Sequence, residues 1–295
     1  MKRVLFIVNR KAGPDGKNNF PAQVNSVLDR RLFSWDIAHT RFQGHAVQLA
    51  ADAAAAGVEI VAAVGGDGSV NEVARGILGT GAVLAVIPKG SGNGLSRALG
   101  IPRDIRSAIG VINRDQAGWI DAGYANDHLF LSNAGVGFDA LVARLFTGSK
   151  GRGLFNYSRL VISALSRYES GHYHLLTGSG EADEQAFFVA AANGNQFGYG
   201  FKIAPDAKMD DGLLDICIMK PLRWWQLPAV SLLSLSGKLV GSRYAKQLRC
   251  RTLTLTRKEG LDWMQVDGDA LPVENAEVHF RVVPRALRVL MPEPL

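Results

Sequence analysis

Asp67 lies in the stretch Gly65-Gly66-Asp67-Gly68-Ser69-Val70-Asn71-Glu72-Val73, where three glycines surround one carboxylate. A backbone this poor in side chains can turn through positive φ and lets a ligand come close to its N–H groups. The apolar residues Ile60 to Val64 precede it at strand length, and Val73, Ala74, Ile77 and Leu78 follow at the spacing of one helix face. The glycines therefore join a strand to a helix N-terminus, whose unpaired N–H groups favour an anion. Phosphate fits that description. Asp67 has the same sign as phosphate, so it is expected to act through Mg²⁺ or on a substrate hydroxyl. The competing reading is a tight turn with a solvated aspartate.

A second stretch repeats the arrangement. Ala82 to Ile87 is an apolar strand candidate, and Pro88-Lys89-Gly90-Ser91-Gly92-Asn93-Gly94-Leu95-Ser96-Arg97-Ala98-Leu99-Gly100-Ile101-Pro102 follows it into a short helix that stops before Pro102. Together the two stretches resemble the paired signatures of the diacylglycerol kinase catalytic-domain family, which includes bacterial soluble lipid kinases and the sphingosine and ceramide kinases. Those signatures are GGDGT-x-NEV and P-x-GT-x-N-D-x-AR-x-LGIP. Ser69 replaces the usual Thr, and Gly94 stands where diacylglycerol kinases carry Asp, which brings the second loop closer to the sphingosine kinases.

The resemblance implies roles for individual residues. The loop Asn9, Arg10, Lys11, Ala12 and Gly13, with Arg10 in place of the family's proline, would contact ATP, as would Thr40. Gly65, Gly66, Asp67, Gly68, Ser69, Val70, Asn71 and Glu72 would hold the nucleotide with Ser91 and Asn93. Asp121 matches an aspartate near the phosphates and metal; a solvated strand-end Asp is the alternative. Ala207 to Asp215 resembles an Asp-Gly segment that binds a structural Mg²⁺ through the Asp211 carboxylate and the carbonyls of Lys208 and Leu213, although an ordinary turn explains the same residues. In Asp267-Gly268-Asp269, Asp269 takes the place of the glutamate proposed as general base, with a side chain one methylene shorter. Ser132 to Ala140 also matches a family segment and is expected to shape the site without taking part in the chemistry.

These residues need elements to carry them. Strand-length runs alternate with helical spacings through about residue 113, which predicts a parallel α/β sheet with ligands at the carboxyl ends of its strands. From Trp119 onward, closely spaced strand candidates (Leu129 to Asn133, His172 to Leu176, Ala186 to Ala192, Leu213 to Met219, Gln247 to Thr256, Val278 to Val283 and Leu287 to Leu290) predict an antiparallel β-rich domain. The expected division is a nucleotide-binding domain over 1–122 and a lipid-substrate domain over 123–295, with the last strand free to return to the first domain.

The bulk numbers agree with two packed domains. The chain has 295 residues, 47% hydrophobic and 20% charged, with a formal net charge of +6 and a pI near 9.4. That is too apolar for disorder. The basic balance suits a nucleotide, an anionic membrane or nucleic acid, so charge does not choose among them. The resemblance implies a lipid and no nucleic acid. Cys217 and Cys250 lie in alternating strand-like runs and are expected to be buried free thiols in a reducing compartment. The six histidines show no ligand spacing.

Arg223 to Leu235, with Trp224, Trp225 and an apolar run broken by Pro228, is too short to span a bilayer, which takes roughly 20 residues. It is expected to pack over the second domain's sheet, while its paired tryptophans beside an arginine would also suit a headgroup region. Lys150, Arg152 and Arg159 near Phe155 and Tyr157 form a second basic and aromatic cluster.

The resulting expectation is a cytoplasmic lipid kinase, peripheral at the inner face of the membrane, monomeric or homodimeric. It would use ATP and Mg²⁺ to phosphorylate a lipid hydroxyl, diacylglycerol-like or sphingoid, in a cleft between domains. Asp67 and Asp121 would arrange metal and phosphates, and Asp269 or Asp67 would take the proton. The alternatives are an NAD-kinase-like enzyme and a non-catalytic nucleotide- or lipid-binding regulator of the same fold.

Overall fold

The computed structural model describes residues 1–9, 19–147, 161, 163–165, 168–197 and 200–293. The chain forms two compact units, one from Met1–Ile120 with Arg285–Leu295 and the other from Asp121–Pro284.

The first unit alternates strands and helices: β1 (Lys2–Val8), α1 (Phe20–Val27), β2 (Phe33–His39), α2 (His45–Ala55), β3 (Ile60–Gly65), α3 (Asp67–Ile77), β4 (Val83–Pro88), α4 (Gly94–Ala98) and α5 (Ile105–Arg114). The strands order as β2-β1-β3-β4 and pair in parallel. Every residue of β3 and β4 is buried, as expected of strands covered on both faces. Helix α2 packs on α3, and α1 on α5. The α2–α3 contact depends on Gly76, where an added Cβ would fall on the Val47 carbonyl oxygen and the Ala50 methyl. A mid-helix glycine is normally about 1 kcal/mol worse than alanine. Here the sign reverses: Gly76→Ala is expected to lower stability by about 1–3 kcal/mol through overpacking, read from the thermal or urea unfolding of the full chain.

The second unit begins within β5 (Ala117–Ala125) and continues through β6 (His128–Phe130), β7 (Asn133–Gly137), α6 (Phe138–Thr147), β8 (Gly171–Thr177), β9 (Gly180–Ala186), β10 (Phe188–Ala192) and β11 (Leu214–Met219). A 3₁₀ turn (Trp224–Gln226) and α7 (Leu227–Leu235) precede β12 (Ala245–Cys250), β13 (Thr252–Arg257), β14 (Trp263–Val266), β15 (Asp269–Pro272) and β16 (Glu277–Leu290). One antiparallel sheet runs β12-β11-β10-β7-β14-β15. A second antiparallel set pairs β16 with β13, β13 with β8 and β8 with β9.

Alternation along the strands builds two cores. Val189, Ala191, Ile216 and Ile218 face a core shared with Leu253, Leu255, Val278 and Phe280 of the other sheet. Ala190, Ala192, Cys217 and Met219 face a core with Phe138, Val142 and Val230 of the helices. Burial pushes the Cys217 thiol up to about 12 and Cys250 up to about 11, so neither is a nucleophile near neutral pH.

Two strand expectations change. The run Gln247 to Thr256 is cut at Arg251 into β12 and β13, which belong to different sheets. The runs on either side of Pro284 are instead one strand, β16, which carries the left-handed Arg285 (φ 48) in its middle. Its last residues lie beside β4 in the first unit, with Val289 paired in parallel to Leu84.

Candidate active site

In the first unit, the residues that sequence singled out follow the carboxyl ends of adjacent strands. Asn9 follows β1, Thr40 follows β2, Gly66 follows β3 and Lys89 follows β4. Hydrogen bonds tie these ends together: the Thr40 N–H donates to the Val8 carbonyl at 3.1 Å, Asn9 N–H to Val64 at 3.1 Å and Lys89 N–H to Gly65 at 2.7 Å. The Asn9 side-chain amide donates to Ser69 Oγ at 2.9 Å. Asn9, Ser69 and the two glycine loops thus form one continuous edge. Arg10, Lys11, Ala12 and Gly13 lie outside the described residues, as does the Lys150 to Arg159 cluster.

The glycines have a specific reason. A Cβ on Gly90 would stand 2.6 Å from Gly66 Cα, and one on Gly66 would stand 3.2 Å from Gly90 Cα. The two loops pack backbone against backbone, so part of the glycine requirement is loop-to-loop and not loop-to-ligand. Gly66 is also the N-cap of α3 in extended conformation (φ −93, ψ −172). A glycine cap has no side chain to take up the first-turn N–H groups, which leaves the positive end of the 11-residue helix α3 to an anion. That donor set fits a nucleotide phosphate. Asp67 is the first residue of α3, and Gly66 to Ser69 are half-buried.

Other residues of the two loops turn inward. Both oxygens of Glu72 accept backbone amides at the start of α2, from Gly44 at 3.0 Å and Ala46 at 3.2 Å. Asn93 is buried and left-handed (φ 53); its Oδ1 accepts the Gly90 N–H at 3.0 Å and its Nδ2 donates to the Gly90 carbonyl at 2.7 Å. These contacts shape the loops, while Ser91 is exposed beside them.

The second unit holds the other three aspartates of interest, 121, 211 and 269. Asp121 is fully buried: its Oδ2 accepts the Gly212 N–H at 2.6 Å and its own N–H donates to the Met209 carbonyl at 2.6 Å. It is therefore not a solvated strand-end residue, and its carboxylate organises the 209–212 turn where a phosphate contact was expected. Asp211 is paired with the Arg249 guanidinium and accepts the Leu213 N–H at 3.1 Å. Arg249 Nε also lies 3.2 Å from Asp215. A guanidinium thus stands on the carboxylate that Mg²⁺ was expected to share with the carbonyls of Lys208 and Leu213, and these residues do not fit a metal site in this conformation. Among the described residues, no group of three His, Cys, Asp or Glu side chains has metal-binding geometry.

Asp267-Gly268-Asp269 is a tight hairpin turn between β14 and β15, with Asp267 (φ 49) and Gly268 (φ 91) both left-handed, the two-residue geometry that asparagine or aspartate followed by glycine favours. Asp267 is the residue that sequence reasoning missed. Its carboxylate accepts the N–H groups of Leu131, Ser132 and Asn133 at 2.9, 2.8 and 3.2 Å. Gln265 completes the mounting: its Oε1 accepts the Gly268 N–H at 3.0 Å, and its Nε2 donates to Asn133 Oδ1 at 2.8 Å and Asp139 Oδ2 at 3.3 Å. Asp269 is exposed at the start of β15. Asn193 links this turn to Asp121, its Nδ2 donating to the carbonyls of Asp121 and Leu131, both at 2.9 Å.

Comparison with known proteins then gives the family. Residues 3–125 match the diacylglycerol kinase catalytic domain. Residues 132–291 match the YegS C-terminal NAD kinase beta sandwich-like domain. A protein of Pseudomonas putida named "Probable lipid kinase YegS-like" is 31% identical, the match covering 94% of this chain and 93% of that one. The chain belongs to the YegS-like lipid kinase family. A second member, from Pseudomonas aeruginosa, is 33% identical over 84% of this chain and 82% of its own. A crystal structure titled as a diacylglycerol kinase from Bacillus anthracis has the same fold, with a TM-score of 0.75 at 23% identity, covering 98% and 97% of the two chains. Yeast NADH kinase shares the fold more distantly, with a TM-score of 0.54 at 9% identity.

Within this family member, Asp139 shows how the second unit responds to pH. Burial pushes its carboxyl up to about 7, against the Ala140 N–H and the Gln265 amide that favour the ionised form. Tyr168, Tyr173 and Cys217, which feel its charge, are also raised by burial and neutral at pH 7. The folded chain keeps the Asp139 proton to about pH 7, whereas the unfolded chain releases it near pH 4. This contribution is therefore whole below about pH 4, declines as pH rises, and is gone above about pH 7. Asp139→Asn should remove that decline and be the more stable of the two at pH 8 by on the order of a few kcal/mol. Urea denaturation of both proteins at pH 5 and pH 8 measures the difference.

Proposed function

We propose that the chain transfers the γ-phosphate of ATP, taken as its Mg²⁺ complex, to a hydroxyl of a diacylglycerol-like or sphingoid lipid. The observation that carries this reading is the edge of the first unit where Asn9, Thr40, the Gly65 to Ser69 turn and the Lys89 to Ser91 turn follow neighbouring parallel strands. Parallel α/β sheets bind ligands outside the carboxyl ends of their strands, and here that edge carries a helix N-terminus suited to phosphate. The names of the relatives supply the lipid.

Phosphoryl transfer is mostly positioning and charge neutralisation, and the residues divide along those lines. Asn9, with Arg10 to Gly13 beyond it, and Thr40 border the nucleotide. Gly66 to Ser69 present the first-turn amides of α3 to the phosphates, flanked by Gly65 at the end of β3 and by Val70 and Asn71 further into the helix, while Glu72 and Asn93 hold the loops in shape and Ser91 faces the ligand. The ion that travels with ATP neutralises phosphate charge. Asp67 orients the phosphates or takes the acceptor's proton. Asp269 is the second candidate for that proton, mounted on a turn fixed by Asp267 and Gln265, and Asp121 supports the same unit from within. No step is assigned to Lys208, Asp211 and Leu213 as metal ligands. Among the described residues no helix is long and apolar enough to cross a membrane.

The test is γ-phosphate transfer from labelled ATP across a panel of diacylglycerol, monoacylglycerol, sphingosine, ceramide and phosphatidylglycerol, with NAD as a separate acceptor. A labelled lipid is the expected product. Labelled NAD phosphate would replace this reading with the nucleotide kinase, and nucleotide binding without any labelled acceptor would favour a regulator.

A further inference from the structure

We propose that Arg223 to Leu235 in the second unit is a docking surface for an anionic phospholipid bilayer. The packed helix expected from sequence is only half present. Val230 and Ser234 of α7 are buried, with Val230 in the core beneath the helix. Leu232 and Leu235, on the same helix, are 69% and 50% exposed, and Trp224 and Trp225 just before it are 71% and 54% exposed. Helix α7 carries no charged residue. It is apolar toward the core and apolar toward solvent, a pattern that belongs to helices with an apolar neighbour on both sides. Four large apolar side chains gathered on 12 residues form the type of patch that marks a binding surface.

Charge identifies the neighbour. From Ile216 to Lys258 the chain has no aspartate or glutamate and nine lysines or arginines. Lys246, Arg249 and Arg257 pair with Glu184, with Asp211 and Asp215, and with Glu259, so the cations that count here are those nearer the tryptophans and α7. The whole chain has 27 acids in 295 residues, so about four would be expected in a stretch of that length. Arg223 and Lys238, which flank this stretch in the chain, and Arg243 beyond it are exposed. The Arg223 guanidinium lies 5.1 Å from the Trp225 ring centroid, and the two indoles meet edge to face at 5.8 Å. Tryptophan and arginine together suit the headgroup level of a bilayer, with leucines reaching below it, and basic residues nearby draw the surface toward anionic lipid. A second copy of the chain would fit less well, because a two-fold contact would set this cationic stretch against itself.

The inference does not depend on phosphotransfer and is measured without nucleotide. The full chain is sedimented with vesicles of equal parts phosphatidylglycerol and phosphatidylcholine, and with pure phosphatidylcholine vesicles. Binding to the mixed vesicles is expected, at least roughly tenfold tighter than to the neutral ones and weakened by salt. Trp224→Ser with Trp225→Ser should weaken binding roughly tenfold or more, and Arg223→Glu with Lys238→Glu should do so on anionic vesicles alone. Both variants change exposed side chains, and unchanged circular dichroism and Tm confirm their folds. The tryptophan variant should also retain turnover on a short-chain, water-soluble lipid. Equal binding by wild type to both vesicle types, full binding by the folded tryptophan variant, or a dimer in ultracentrifugation that this variant dissociates would overturn the proposal. If wild type binds vesicles as expected but phosphorylates no lipid, the docking surface stands and the kinase reading falls.

Discussion

Asp67→Asn is expected to lower lipid phosphorylation on the order of 10³-fold while the protein stays folded, within the range for losing a positioned acid or base. The argument begins with position. Asp67 opens α3 directly after its glycine cap, on the edge where Asn9, Thr40 and Lys89 also end their strands. A carboxylate at a helix N-terminus contributes about 0.3–1 kcal/mol through the dipole, and an amide keeps its shape and one acceptor oxygen, so the replacement should cost little stability. Stability and activity should therefore separate. Amidation preserves shape and removes charge, so it abolishes either role proposed for Asp67, orientation of the phosphates or acceptance of the proton. The pH profile distinguishes the roles: a base contributes an acidic limb to kcat/KM that Asp67→Asn would lack, whereas an orienting residue lowers the rate at every pH. A folded Asp67→Asn with turnover near wild type would remove Asp67 from the site.

The same residues show how far sequence alone reaches. Strand-glycine-helix spacing is local, and it located both loops and the parallel half of the fold, because a buried parallel strand reads as an unbroken apolar run. What the glycines pack against was not legible. Gly66 and Gly90 are 24 positions apart, and their mutual approach explains part of a pattern that spacing alone attributed to a ligand. Long-range partners account for most of the other differences. Asp121 reads as a strand-end aspartate until Gly212 is seen to donate to it. Asp211 reads as a metal ligand until Arg249 stands on it. Glu72 follows the glycine loop in sequence yet caps α2, which precedes that loop. In each case a polar group was assigned to a ligand although its partner is another part of the chain, as buried polar groups require.

The strand differences have a related cause. Alternation in the run Gln247 to Thr256 fits one strand, but the chain changes sheets at Arg251, where side-chain pattern shows no break. Val278 to Val283 and Leu287 to Leu290 read as two strands, yet left-handed Arg285 absorbs the irregularity between them and lets β16 continue into the first unit. Trp224 and Trp225 are the converse case. Sequence left them open between packing over the sheet and a headgroup region, and the structure leaves both exposed.

Asp269→Ala is expected to slow the chemical step by roughly 10²–10⁴-fold, the usual contribution of a general base, with little effect on nucleotide affinity. The structure separates Asp269 from the turn that carries it. Asp267 and Gln265 make the hydrogen bonds that hold the hairpin, and Gly268 supplies its left-handed backbone. Asp269 itself is exposed, so alanine there should leave Tm and ATP binding near wild type. Asp267→Ala provides the contrast: it deprives three backbone amides of their acceptor, at about 1–3 kcal/mol for each one left unsatisfied, and should lower stability and activity together. Asp269→Glu tests reach. Glutamate restores the family's usual side chain with one more methylene, and retained activity would show that the site accepts either length. Single-turnover measurement with ATP prebound isolates the chemical step. If Asp269→Ala stays within a few-fold of wild type under those conditions, the proton goes elsewhere, and Asp67 becomes the leading acceptor on the strength of its place at the start of α3.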